Sequence, residues 1–356
     1  MPRDPERLNA IDTSILDLVA QRIDILRQAG GAELPAEANA RIQAAVDRTA
    51  TDHQIDPERL RTLLRHVASL SAAELEPRRV AYLGPQHSYS HLAALKYFGD
   101  AAMLTPESTI AAVFDAVVRG QAAMGIVPVE NSTDGRVVDT LGMFVQNPVN
   151  ICGEVLLPIH HYLLSSTPRD QIVDIYSKPQ ALSQCRGWLA QHMPDVHLKE
   201  LSSTAAAAKL AAEQPGVAAI ASEAAGREYG LNVIAASIED NPNNVTRFAV
   251  LGGHEPSSSG DDKTALVLQI IHRPGALADV MNVFKTHNLN LTWIESYPMP
   301  AGPNEYLFFL ELEGHKQDAT VMAAIEDLKA LTIRRDVLGS YPRGRETAES
   351  KSAAGT

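Results

Sequence analysis

RVAYLGPQHSYSHLAALKYF, residues 79–98, changes its grammar in mid-course. A short apolar, strand-like run ends at Leu83, a polar turn follows, and the segment then enters a helix-like stretch. Such a turn places a serine hydroxyl and free backbone N–H groups at the C-terminal edge of a strand, where α/β proteins bind anions and small polar ligands. The same transition recurs where IVPVE meets NSTDG at 131–135, where DIYS meets KPQALSQC at 178–185, and where KEL meets SSTAAAA at 202–208. Ordinary helix capping explains any one of these turns. Four of them in one region predict a shared polar cleft in an α/β domain over 78–254. Its strands are expected at RRVAYLG, MGIVPVE, ICGEVLLPIHHYLL, VDIYS, VHLKEL, VAAIAS, LNVIAAS and VTRFAVLG.

On the N-terminal side, residues 1–76 read as helical. DPERL occurs at 4–8 and again at 56–60, each copy offering an Asp N-cap and a first-turn proline. Leu8, Ile11, Ile15 and Leu18 then recur at helical spacing, but Arg22 takes the next place on the stripe before Ile25. A cation there is either a ligand for an anion or a snorkelling, salt-bridged side chain. On the C-terminal side HEPSSSGDD, 254–262, reads as a linker. Beyond it TALVLQII, PGALADVMNVFKTHN, LNLTWIESYPM, EYLFFLELEG, DATVMAAIEDLKAL and IRRDVLGSYP give the order β-α-β-β-α-β over 263–343. The expected fold is therefore multi-domain: an all-α N-terminal domain, a two-lobed α/β domain and an α+β ferredoxin-like domain. The remainder, 344–356, is polar enough to be a disordered tail.

Composition narrows the functional classes. The chain has 356 residues and a formal net charge of -12, which argues against a nucleic-acid partner and means an anionic substrate must be drawn in by local cations and helix N-termini. Its two cysteines, Cys152 and Cys185, lie in no metal-binding or disulfide spacing and fit a reducing cytoplasm. No apolar run approaches the length of a membrane span, and the N-terminus lacks a signal-peptide pattern. The middle domain shows no P-loop, GxGxxG, HExxH or GxSxG motif. Hydroxyl and amide groups dominate the expected cleft, with Glu130 and Arg247 as its main charges. Such a set suits a reaction needing orientation, one proton donor and a dry site, with no metal or cofactor.

VTRFAVLG, 245–252, sets Thr246 and Arg247 into an otherwise apolar strand. By spacing alone, Thr246 is a good β-former and Arg247 a surface ion-pair partner. Taken with YLGPQHSYSHLAA, VPVENSTDG, YSKPQALSQC, STAAAAKLA, IASEAAGREYGL and NNVTRF, however, the chain resembles the bifunctional chorismate mutase/prephenate dehydratase family of phenylalanine biosynthesis. The resemblance runs from about Pro5 to Pro342, and GALADVMNVFKTHNLNLTWIESYP is similar to the paired motifs of that family's ACT domain.

The resemblance implies a periplasmic-binding-protein-like dehydratase domain that converts prephenate to phenylpyruvate, with loss of CO2 and the ring hydroxyl. Thr246 would donate a proton or hydrogen bond to the departing hydroxyl and Arg247 would hold a carboxylate or orient the strand, with Glu130 and Asn131 beside them. Ser132, Thr133, Ser177, Lys178, Gln184, Ser203, Thr204 and Phe248 would line or back the substrate site, and Ser88 would cap the helix facing it. Lys178 and His87 depart from the family's histidine and glycine. The ACT segment implies phenylalanine as effector, held by Gly275, Ala276 and Leu277 with Glu295 and Ser296, although Tyr297 replaces an arginine. Gly275 would permit close approach to the first helix of that domain.

In the N-terminal domain Arg22 and Ser71 match the mutase site. Pro5 stands in place of an arginine, although Arg3 and Arg7 are near, 28–40 lacks the expected lysine, and Leu75 replaces a glutamine. The expectation is a feedback-regulated prephenate dehydratase whose mutase-like domain has lost most of its cations and associates as a homodimer or homotetramer. The alternatives are a fully bifunctional enzyme that also takes chorismate, and a non-catalytic amino-acid sensor.

Overall fold

The computed structural model describes residues 4–29, 35–76, 78–299 and 306–344; Arg3 and all but the first residue of the expected tail lie outside them. Three helices come first, α1 (Pro5–Gln28), α2 (Pro35–His53) and α3 (Pro57–Leu75). Both DPERL copies start helices. Asp4 accepts from the Arg7 N–H at 3.1 Å and Asp56 from the Glu58 N–H at 2.9 Å. α3 packs on α2 and leans on the next domain, where Arg65 donates to the Lys96 carbonyl at 3.0 Å and the Ser69 hydroxyl accepts from the Ala101 N–H at 3.2 Å. α1 touches α3 yet buries no residue: Leu8, Ile11, Ile15, Leu18 and Ile25 stay 48% to 66% exposed.

The middle domain has two lobes. The first contains β1 (Arg79–Leu83), α4 (Tyr89–Phe98), β2 (Met103–Glu107), α5 (Ile110–Val118), β3 (Met124–Asn131), β4 (Gly135–Arg136), α6 (Val138–Gln146) and β5 (Asn150–Pro158). The second contains β6 (Tyr162–Ser165), β7 (Asp174–Ser177), α7 (Pro179–Gln184), α8 (Arg186–His192), β8 (His197–Glu200), α9 (Thr204–Glu213), β9 (Val217–Ala221), α10 (Glu223–Glu228) and β10 (Asn232–Ala235). The chain then returns to the first lobe as β11 (Val245–Gly252), so the sheets are ordered β2-β1-β3-β11-β5 and β10-β6-β9-β7-β8. In the first, β1 runs parallel to β2 and β3, while β11 is antiparallel to both of its neighbours.

Two expectations are corrected here. Ile151 to Leu164, read as one strand, is two, because the chain changes lobes after Pro158, whose missing N–H cannot extend the ladder. The outgoing and returning segments are tied by the Ile159 N–H to the Asn244 carbonyl at 2.8 Å and the Ile238 N–H to the His161 carbonyl at 2.9 Å. Strand β2 was not expected. Its sequence, MLTPE, is half polar and holds a proline, which an edge strand tolerates.

The third domain follows the expected order: β12 (Asp262–Ile270), α11 (Ala276–Thr286), β13 (Leu291–Pro298), β14 (Tyr306–Glu313), α12 (Ala319–Asp327) and β15 (Thr332–Pro342), in an antiparallel sheet β13-β14-β12-β15. It is not held at arm's length. Val267, Leu307 and Phe309 join Leu141, Phe144 and Ile151 of the first lobe in one apolar core. At Gly339, φ is +150° and an added Cβ would stand 2.1 Å from the Ile151 carbonyl oxygen, so only glycine lets β15 pass β5 this closely. The stretch read as a linker is correspondingly folded at its end: buried Asp262 accepts from the Ser259 N–H at 2.8 Å, its hydroxyl at 2.7 Å and the Gly260 N–H at 3.1 Å.

Candidate active site

Antiparallel pairing sets Thr246 of β11 opposite Asn131 at the end of β3. The Asn131 amide oxygen accepts the backbone N–H groups of Thr133 at 3.0 Å and Asp134 at 3.1 Å, an Asx turn that fixes which way the amide points. Its nitrogen therefore faces away from the turn and donates both hydrogens, to Thr246 Oγ1 and to Asn244 Oδ1, each at 2.8 Å. Because Thr246 Oγ1 accepts from Asn131, its own hydrogen is left for a substrate. The half-buried Thr246 hydroxyl is thus a donor aimed from a fixed base.

Around this pair lies a set of residues that joins the lobes. Asn244 Nδ2 donates to Gln184 Oε1 at 3.0 Å, and Gln184 Nε2 donates to Asp134 Oδ2 at 2.6 Å. Gln180 reaches the same carboxylate at 2.6 Å. His161 lies in the outgoing crossing segment, with Nε2 2.7 Å from Gln184 Oε1 and Nδ1 3.0 Å from the Tyr89 hydroxyl. Glu239, in the returning segment, meets His160 Nδ1 at 2.7 Å and accepts the His161 N–H at 2.8 Å. Burial pushes the His161 imidazole below its ordinary pKa, favouring the neutral ring. Burial also works on Glu239, but the hydrogen bonds from His160 and the His161 N–H outweigh it and hold its carboxyl below the usual range.

Asn244, Asp134, Tyr89, His160, His161 and Glu239 were not singled out in the sequence. Two signals were available: IHHY, two histidines at a break in an apolar run, and NPNN just before the strand.

Several expected residues serve the frame of the site. Ser88 caps α4, accepting from the His91 N–H at 3.3 Å, and Ser203 caps α9, accepting from the Ala206 N–H at 3.0 Å; Thr204 opens α9 and is buried. Ser132 staples the 131–135 turn to β11 by accepting the Val245 N–H at 2.9 Å and donating to the Asn243 carbonyl at 3.2 Å, and Thr133 Oγ1 receives Asn241 Nδ2 at 3.4 Å. Lys178 is exposed at the start of α7. His87 takes a left-handed φ of +64°, a strain that a glycine would not carry, and its carbonyl accepts from Ser222 of the second lobe at 3.4 Å.

Three assignments are corrected. Ser177 is fully buried, and its hydroxyl donates to the Ile220 carbonyl at 2.6 Å inside the second lobe. Phe248 is 1% exposed and packs with Tyr82, Ile126 and Val155 in the core, so it backs the site and does not line it. Arg247 faces away from Thr246, because successive side chains on a strand point to opposite faces. Its guanidinium pairs with Glu311 of β14, lies 3.5 Å from Glu154 of β5 and 3.3 Å from Glu130, and stacks 4.9 Å over the Trp293 ring. Burial opposes its charge, but Glu311, Tyr341 and Glu154 together raise its pKa. Glu130 thereby belongs to the arginine's cluster.

Elsewhere, Arg22 is half-buried on α1, and the Ser71 hydroxyl is buried and donates to the Val67 carbonyl of its own helix at 2.7 Å. In the third domain Gly275, Ala276 and Leu277 line a cavity of about 260 Å³ at the start of α11, with Ile271, His272, Arg273 and Phe308. An added Cβ at Gly275 would meet nothing within 4 Å, so close approach is not its role; its φ of +80° is. Glu295 and Ser296 lie outside that cavity: Glu295 pairs with Arg136 of the first lobe at 2.9 Å, and Ser296 is exposed.

Comparison with known proteins agrees with this layout. The sequence profile described as Prephenate dehydratase matches residues 80–256, and that described as ACT domain matches 264–330. The bifunctional chorismate mutase/prephenate dehydratase of Stutzerimonas stutzeri is 38% identical over 350 residues, covering 95% of this chain and 96% of that protein. Among solved structures, prephenate dehydratase from Arthrobacter aurescens in complex with L-Phe aligns at a TM-score of 0.70 and 33% identity, over 74% of this chain and 90% of that one. GqqA, described as a novel type of quorum quenching acylase, aligns at 0.68 and 27% identity over 74% of this chain and 98% of its own.

Proposed function

The chain belongs to the bifunctional chorismate mutase/prephenate dehydratase family and is a prephenate dehydratase with an ACT domain; on that premise we propose how its residues carry the reaction and its control. Prephenate sits between the lobes with its ring hydroxyl against Thr246. The carbon–carboxylate bond breaks, its electron pair enters the ring, and the ring C–O bond breaks as the Thr246 hydroxyl supplies a proton, releasing CO2 and water. Asn131 Nδ2 stabilises the oxygen left on Thr246 until solvent returns the proton. Aromatisation drives the step, so no strong base is required. The observation that carries this reading is the fixed Asn131 amide, which leaves the Thr246 hydrogen free for the substrate.

Dehydratase residues 78–254 and ACT residues 263–343 act as the catalytic and regulatory units. Phenylalanine is the effector, with its carboxylate at the N–H groups that open α11 and its ring among Ile271, Leu277 and Phe308. Ile271, Leu277, Tyr306 and Ile333 are 37% to 65% exposed around that cavity, and the α1 stripe is bare. Both faces fit a homodimer or homotetramer, in which a second copy covers them. Among the described residues no helix is long and apolar enough to cross a membrane, and both cysteines are free and buried; a cytoplasmic enzyme fits these features.

The helical domain serves association, since among the residues that match the mutase site Ser71 is spent on its own backbone. The full-length likeness to bifunctional relatives favours the second reading, in which it also rearranges chorismate. Supplying prephenate and chorismate separately, and following phenylpyruvate with and without phenylalanine, tests these readings together. Prephenate alone should be turned over, and Thr246→Ala should abolish that turnover without changing the fold. Turnover of chorismate would restore the mutase, and a full rate in Thr246→Ala would remove Thr246 from the chemistry.

A further inference from the structure

We infer that His161 is a positioning residue for the dehydration, acting through Gln184, Asn244 and Asn131 on the Thr246 hydroxyl. The inference rests on the reading of Thr246 as donor. It follows from counting hydrogens along the chain of contacts. Gln184 Oε1 receives Asn244 Nδ2 at 3.0 Å, so the face it turns toward His161 is an acceptor. His161 Nε2, 2.7 Å from that oxygen, must therefore carry the hydrogen. A neutral ring then has Nδ1 as acceptor, facing the Tyr89 hydroxyl at 3.0 Å, whose single hydrogen is shared between Nδ1 and the His160 carbonyl 2.8 Å away.

The contacts from His161 to Thr246 now share one polarity. His161 and Asn244 donate to Gln184, Asn131 donates to Asn244, and Asn131 donates to Thr246. Turning the Gln184 amide over would set its nitrogen against two donors. Asn244 would lose its acceptor, be free to turn, and present a second nitrogen to Asn131. Asp134 pulls Gln184 the same way at 2.6 Å, but Asp134 is exposed and shares its carboxylate with Gln180 and water. His161 is 2% exposed, and its backbone N–H is fixed by Glu239 at 2.8 Å, so its hold does not compete with solvent. His161 also lies in the segment that links the two lobes, whereas Gln184 belongs to the second lobe and Thr246 to the first. The imidazole thus sets the position of a second-lobe amide over a first-lobe hydroxyl.

Two variants separate positioning from packing. His161→Gln puts an amide N–H near the place of Nε2, within reach of Gln184; His161→Asn puts it near Nδ1, on the Tyr89 side. Steady-state kinetics with prephenate should show kcat for His161→Asn lowered about 10- to 100-fold with KM little changed, and kcat for His161→Gln restored to within a few-fold of the parent. Equal rates in the two variants, whether both high or both low, would overturn the inference. Should both variants fail to fold, Tyr89→Phe remains: it removes the hydroxyl that His161 Nδ1 shares with the His160 carbonyl, should lower kcat without a matching rise in KM, and an unchanged kcat would overturn the inference. Thr246→Ala measured alongside keeps the two readings apart. If it is inactive while His161→Asn is unimpaired, only the role of His161 fails; if it is active, the reading of Thr246 fails first.

Discussion

The two faces of β11 make opposite use of adjacent residues. Thr246 turns toward the seam between the lobes, where it meets amides and leaves a hydrogen for the substrate. Arg247, one residue on, turns toward the ACT sheet, where it is 8% exposed among Glu154, Glu311, Tyr341 and Trp293. One face carries the proposed proton donor and the other holds two domains together. A single strand can do both because its side chains alternate, and the consequence is that the Thr246 hydroxyl and the interdomain ion cluster share a backbone. The same contrast separates hydrogen bonds that are left incomplete for a ligand from a cluster whose carboxylates also meet Lys263, 2.9 Å from Glu154 and 3.9 Å from Glu311.

The widest separation between the two faces should come from isosteric removal of the hydroxyl. Thr246→Val should lower kcat by about 10²- to 10⁴-fold, the range of one positioned proton donor, while the thermal midpoint stays close to the parent's. Arg247→Met should do the reverse. It removes the arginine partner of buried Glu311 and leaves Glu154 to Lys263, and should cost about 3–5 kcal/mol in denaturant unfolding, with kcat of the folded fraction largely kept. A variant at Arg247 that lost turnover but no stability would break the comparison.

A smaller effect is expected at the lobe crossing, where Glu239 serves both faces by fixing the segment beside β11. Its carboxyl titrates below the ordinary value of 4.5 when folded, so its contribution is present above that value and is lost as pH falls through the lower folded pKa. Unfolding midpoints measured down the acid range should steepen there, and Glu239→Gln should flatten that slope at a cost of about 1.5–3 kcal/mol near neutrality, the worth of charged hydrogen bonds. Least of all should come from Arg136→Ala. Its 2.9 Å pair with Glu295 also bridges the lobe and the ACT sheet, but Arg136 is 42% exposed at its side chain, and its loss should cost less than about 1 kcal/mol in the same measurement. A larger loss would show that the interface depends on its rim as well as on the Arg247 cluster.

How much of this was legible depended on how local the cause was. Asp4 and Asp56 cap their helices because N-cap, proline and acidic residue sit within a few positions of one another, and the β-α-β-β-α-β order follows from period and turns alone. Thr246 and Asn131 could be named because their motifs are contiguous. Their contact could not, since 115 positions separate them. Phe248 and Ser177 looked like site residues because they lie within such motifs, but Phe248, on the same face as Thr246, sits deeper in the sheet among Tyr82, Ile126 and Val155, and Ser177 is buried against the Ile220 carbonyl. The linker at 254–262 had the composition of a spacer, and nothing in it announced that Asp262 would be buried under its own serines.

By itself the sequence determined the three-part architecture, the strand-turn-helix units around the candidate site, and the motif that carries the hydroxyl proposed as proton donor, because each is written in residues near one another. Only the tertiary structure decided the direction of Arg247, the joining of His161 to Gln184, and the fusion of the ACT sheet to the first lobe. Those depend on which faces meet once distant strands pair, and burial then forces every charge and amide at the seam to find a partner that no local pattern names.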